Sequence, residues 1–252
     1  MSRKGRLITI LLVGIALVLA IWNYVPHYLT KRGEALHITS GEALERKHRS
    51  ELVLRRDGVP INQNLPVIET KTEAHLRSQQ AIAYRALALL VVAVKGEGLE
   101  QPIVEKLARQ YDLAPYFTPK EAAFIKNPAS SEKDRTQFSL RYESAWVLLW
   151  ALGYVEDLRQ PSTICDVAKA VTLMKERTTA QFLADSKLRP LSQLLDEADL
   201  IYRYDWAVVD ARIKGKPAPS GLDPGVVQER HYALNWLIGY MDQEWDDMST
   251  DT

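Results

Sequence analysis

The chain has 252 residues, 46% of them apolar and 25% charged, with 32 basic and 32 acidic side chains. That length suits one large helical domain plus an anchor, and the balanced charge lacks the basic stripe of a nucleic-acid binder, so no nucleic-acid partner is expected. The single cysteine, Cys165, excludes an intramolecular disulfide.

In chain order, the first signal is an uncharged run. Arg3, Lys4 and Arg6 precede Leu7–Trp22, which holds no charge, and extension through Val25 gives about the span of a bilayer core. Trp22 and Tyr24 stand where interfacial aromatics belong, followed by Pro26, Lys31 and Arg32. A signal peptide would have a shorter apolar core and a small-x-small cleavage site, a pattern that Ala16 and Ala20 make poorly. The expectation is an uncleaved single-pass membrane anchor over residues 1–25, with the lipid bilayer as partner through residues 7–25. The basic residues before it place the N-terminus in the cytoplasm and the domain on the exported side.

Residues 26–43 read as a polar tether, and residues 44–252 as an all-α domain. Ser40 is set to cap a short helix holding "GEALERKHRSE". The next stretch, "LVLRRDGVPINQNLPVIET", contains Asp57-Gly58, Pro60 and Pro66 and reads as extended surface chain. Helical periodicity then runs from Thr72 to Lys95. Its later turns are apolar all round, as in a helix buried at the centre of a domain. Arg85 and Lys95 bracket too few apolar residues for a membrane span. Gly96 and Gly98 stop this helix.

Pro102 opens "QPIVEKLARQYDL", and Thr118 with Glu121 forms a capping box for the next helix, which Pro128 ends. Ser130 or Ser131 caps a helix reaching Gly153. Asp166 caps "VAKAVTLMKER", and Thr178 or Thr179 caps "AQFLADSK". Pro190 opens a long helix that Gly215 closes. After a Pro/Gly loop, a last helix starts at Gly225, and the chain ends in "WDDMSTDT". No period-2 alternation of useful length appears, so the fold class is all-α: one globular multi-helix domain of about seven to nine helices after an N-terminal transmembrane helix.

The usual chemical signatures are absent. There is no Gly-rich phosphate loop, His-Glu-x-x-His, Gly-x-Ser-x-Gly or Cys-x-x-Cys, and no cofactor is expected. Cys165 reads as a small apolar residue beside a helix cap, because no histidine is near in sequence to activate it.

Glu229, Arg230 and His231 are adjacent in the last helix. Consecutive helical residues diverge by about 100°, so the three cannot share a face. Glu229 and His231 stay as catalytic candidates, His231 as a general base. The long helix carries Asp196, Asp199, Arg203, Trp206 and Asp210 on one stripe. Such carboxylates, with Asp246, Asp247 and Asp251 of the tail, could hold Mg²⁺ or Ca²⁺. Ion pairs explain the same residues without a metal, because arginines on buried helical faces need partners. The expected ligand or structural polar network is therefore Arg85, Arg141, Glu143, Asp199, Arg203, Arg230, Asp246 and Asp247, with no metal. The tryptophans and tyrosines of the later helices read as core packing, or as the lining of a groove.

Several segments, in order, are similar to one family: "GVPINQNLP", "RALALLVVAVKGEG", "TPKEAAFI", "YESAWVLLWALGYVEDL", "LDEADLIYRYDWAVVDA", "GVVQERHYALNWLI" and "WDDMSTDT". They resemble the domain of unknown function 4272 family over Leu44–Thr252. The resemblance brings no catalytic residues, and the anchor is an addition to a family of soluble chains. Two functions follow as expectations. The first is a membrane-anchored helical module for protein interaction or regulation, with an envelope protein as partner. The second is an enzyme or small-ligand binder with a pocket around Glu229, His231, Asp246 and Asp247. In either, Trp245 should fold back onto the last helix, and Asp246 or Asp247 should pair with an arginine.

Overall fold

The computed structural model describes residues 41–252. The segment 7–25 read as an anchor, and the tether as far as residue 40, lie outside the described residues. Among the described residues all regular structure is helical, with no strand, and no helix is long and apolar enough to cross a membrane. Contacts divide the chain at residues 45 and 46.

Helix α1 covers residues 41–56. It runs past Leu52, where the sequence pointed to extended chain, because Leu54 drops into the core at 1% exposure. The turn falls at Asp57-Gly58, where Gly58 takes φ 70°. Residues 57–78 then cross the surface without regular structure.

Helix α2 (Gln79–Gly96) is the centre of the fold. Every residue from Ala86 to Ala93 has no exposed surface. A helix buried all round needs neighbours on every side, and α2 packs against α3 (Gln101–Gln110), α4 (Pro119–Lys126), α5 (Glu132–Ser139), α6 (Arg141–Ala151), α7 (Val167–Lys175) and α8 (Thr179–Asp185). At Gly96 a Cβ would stand 2.5 Å from Ser139 N, so glycine lets the α2 and α5 backbones touch. Buried Lys95 closes this end, donating to the carbonyls of Ile125 and Asn127.

Helix α9 (Leu191–Ile213) and helix α10 (Pro224–Ile238) pack along each other, and α10 also packs on α6. Short 3₁₀ turns at Tyr240–Asp242 and Trp245–Asp247 carry the tail back over α10.

The caps follow local chemistry. Ser78, Thr118, Ser131, Asp166 and Thr178 each accept a backbone N–H of the first turn, and Thr118 and Thr178 complete capping boxes. Asp223 caps α10, with Pro224 at its first position, so the helix starts one residue before Gly225.

Two boundaries differ from the sequence expectation. The helix expected from Thr72 starts at Gln79, because the chain before it has other work. His75 N–H donates to Ile238 O at 2.9 Å and Arg77 N–H to Leu237 O at 3.1 Å, which satisfies carbonyls at the end of α10. The helix expected from Ser131 to Gly153 is broken at Leu140 into α5 and α6.

Candidate functional site

Several buried charges are matched pair by pair, whereas buried Lys95 donates to neutral acceptors. Arg230 Nε lies 3.1 Å from Glu143 Oε2, and its Nη1 donates to the carbonyls of Leu158 and Arg159. The other oxygen of Glu143 accepts the Cys165 N–H. Cys165 is buried, and burial, with the Glu143 carboxylate next, pushes its thiol well above the usual range. Arg141 reaches both oxygens of Glu229 at 3.1 Å, and Ser144 Oγ donates to the same carboxylate at 2.6 Å. Arg203 grips Asp199 with two bonds of 2.7 and 2.8 Å, one turn apart on α9. Such pairs explain why these residues are tolerated inside: each charge removed from water has a charged partner.

His231 is 2% exposed, and its Nδ1 is 2.9 Å from Asp205 Oδ2. The Tyr202 ring lies beside it, 5.9 Å between centroids. Glu229 faces α6 and His231 faces α9, the divergence that one residue step on a helix imposes. The pocket expected around Glu229, His231, Asp246 and Asp247 is therefore not assembled: Asp246 and Asp247 line a different surface. Among the described residues, no group of three His, Cys, Asp or Glu side chains is placed to hold a metal ion.

That different surface is a groove of about 690 Å³. Its lining comes from four parts of the chain: Ala81 and Arg85 of α2, residues 115–120 before and at the start of α4, Trp236 of α10, and residues 244–247 of the tail. Most of it is apolar, through Tyr116, Phe117, Trp236, Trp245 and two prolines, Pro115 and Pro119.

The tail is held in place to build it. Trp245 is 3% exposed and packs edge-on against Trp236 and Tyr232, with centroids 5.3 and 5.2 Å away. Tyr232 Oη donates to the Trp245 carbonyl, and Asn235 Nδ2 donates to Ser249 O at 2.9 Å. Arg77 reaches from the segment before α2 to Gln243 O and Glu244. The partner of Asp246 is Lys120, not an arginine. The Lys120 N–H donates to Asp246 Oδ2 at 3.3 Å, at the N-terminus of α4, and Lys120 Nζ donates to the Asp246 carbonyl at 2.9 Å.

Arg85 is the charged centre of the groove, 6% exposed. One guanidinium nitrogen donates to Glu121, the capping-box acid of α4, and the guanidinium stacks 5.1 Å from the Trp245 ring. Some polar atoms around the groove find no protein partner: Arg85 Nε, Glu121 Oε1, Trp236 Nε1 and Trp245 Nε1. All four atoms are themselves buried, so none of them is open to a molecule lying in the groove.

Of the residues singled out in the sequence, Arg85, Asp246, Asp247 and two of the tryptophans meet at this groove. Arg141, Glu143, Asp199, Arg203, Glu229, Arg230 and His231 are spent on internal pairing. Tyr116, Phe117 and Lys120 carry no signal in the sequence beyond an aromatic pair set between two prolines.

A search of the curated proteins and one of the solved structures each return no match. A family model does match, over residues 46–248, and its description is "Domain of unknown function (DUF4272)". Because that match covers most of the chain, the protein belongs to the DUF4272 family.

Proposed function

We propose that the protein is a membrane-anchored interaction module that presents its helical domain to a partner protein in the cell envelope, with the groove as its recognition surface. The groove carries this reading: it is large, mainly apolar and rich in aromatic side chains, the composition of recognition hot spots. Arg3, Lys4 and Arg6, followed by the uncharged run Leu7–Trp22, support a single-pass anchor with the domain on the exported side. An enzymatic role has less support, because Glu229 and His231 are paired inside the protein and do not line the groove.

Cross-linking tests the reading. Pro115 is exposed and lines the groove, and native Cys165 is buried with a raised thiol, so Pro115→Cys adds one reactive thiol. A membrane-impermeant thiol-to-amine cross-linker added to intact cells should join the full chain to one envelope protein. Labelling confined to broken cells would place the domain on the other side. A chain that stays uncross-linked under both conditions would remove the interaction reading.

A further inference from the structure

A second pocket, of about 420 Å³, lies between α9, the loop leading to α10, the first turns of α10 and Thr250 of the tail. It shares no residue with the groove. We propose that it binds a small zwitterion whose ammonium and carboxylate groups are separated by a short aliphatic chain, an ω-amino acid.

The α9 wall is one helical stripe. Asp205, Val208, Val209 and Arg212 stand at i, i+3, i+4 and i+7, so they face the same way over two turns. Asp205 is the buried end of that stripe, 4% exposed. Its Oδ2 lies 2.9 Å from His231 Nδ1, and among the described residues no lysine or arginine pairs with it. Its Oδ1 meets no protein donor. Unlike the orphaned atoms around the groove, this oxygen is not sealed from the surface. A carboxylate drawn out of water needs donors or a cation at both oxygens. An occupant of the pocket can supply the second as an N–H.

The other end is basic. Arg212 and Lys216 line the pocket and are exposed, and neither side chain makes a hydrogen bond or ion pair among the described residues. Lys214, between them, is spent on Asp210. Arg212 does not close onto Asp205, so the pocket holds opposite charges apart. Val208 and Val209 lie between them on the stripe, and Pro217, Ala218 and Pro224 add apolar wall. A ligand with one charge leaves the other end unmatched. A ligand with both, joined by methylenes, matches each end and covers the valines.

Seven helical residues advance about 10 Å. Arginine leans back toward the start of its helix, which shortens the gap between the charged ends. The span still calls for several carbons between amine and carboxylate, not the single carbon of an α-amino acid.

The test is calorimetric titration of the full chain in detergent micelles. The ligands are glycine, γ-aminobutyrate, δ-aminovalerate and ε-aminocaproate, beside pentylamine and pentanoate. One of the three longer amino acids should saturate with a dissociation constant at or below about 1 mM. Glycine, pentylamine and pentanoate should each bind at least about tenfold more weakly, the scale of one lost charge-assisted hydrogen bond. Arg212→Gln combined with Lys216→Gln should weaken the best ligand about fivefold, the scale of exposed ion pairs. Both side chains are exposed, so this variant should melt at the parent temperature. Asp205→Asn keeps an acceptor for His231, removes the charge, and should weaken binding about tenfold or more. If Asp205→Asn does not fold, the double variant decides alone. The proposal is overturned if no ω-amino acid saturates, if pentylamine or pentanoate binds as tightly as δ-aminovalerate, or if either folded variant binds as the parent does.

Discussion

Gly239 shows how much one residue can carry. It ends α10 at φ 74°, and a Cβ there would stand 2.4 Å from the His75 carbonyl oxygen. Both the left-handed backbone and the close approach demand glycine. Gly239→Ala should destabilise the domain by about 2 kcal/mol or more, read by chemical denaturation; a loss of only a few tenths would mean the approach is loose. Glu197, partly buried on α9, is the clearest case of a perturbed charge. Burial pushes its carboxyl up to about 7; Arg230 and Arg189 partly offset this, and Asp196 and Asp157 add to it. Its folded pKa lies above its ordinary value of 4.5, so folding favours the protonated form. A penalty therefore appears as pH rises from that value through 7, and is complete above. Glu197→Gln should add about 1–2 kcal/mol of stability at pH 8.5 and almost none at pH 5; equal effects at both would refute the assignment. Residues such as Thr118 and Asp166 were legible in the sequence, because a cap is a contact within one turn, whereas the caps Ser78 and Asp223 were missed. The need for glycine at 239 was hidden, because its partner, His75, is far away in the chain.

At the scale of elements, the tail matters most. Residues 244–248 are short and irregular, yet they bury Trp245 and Met248 and form part of the groove. Deleting Trp245 to Thr252 removes the Trp245 side chain from Trp236 and Tyr232 and uncovers Arg85. Loss of one large buried aromatic typically costs about 3–5 kcal/mol, so the melting temperature of the whole domain should fall by several degrees; an unchanged melt would show that the tail is an appendage. The helices themselves were readable from periodicity and punctuation. Their limits failed where tertiary demands took over: residues 75–77 give up helix to bond the end of α10, and Leu140 interrupts an otherwise continuous pattern. The arginine partners show the same boundary. Arg203 and Asp199 sit one turn apart and could be paired from spacing. Arg141 with Glu229 and Arg230 with Glu143 join α6 to α10, so the sequence could show only that each charge needed a partner.

At the scale of the molecule, the all-α class was clear from the absence of alternation, and the family from segments in order. The groove was not, because it is assembled from α2, the 115–120 segment, α10 and the tail. Trp236 and Trp245 were visible as aromatics, but core packing and a groove lining look the same in one dimension. The fold spends most of its polar core residues on internal pairs and brings Tyr116, Phe117 and the acids of the tail to one groove. The most direct measurement is the cross-link from position 115, run beside Ile213→Cys, a control on a residue 78% exposed and outside the groove. One discrete envelope adduct should form from position 115 and be absent from position 213. Equal adducts from both positions would contradict the groove as the recognition surface.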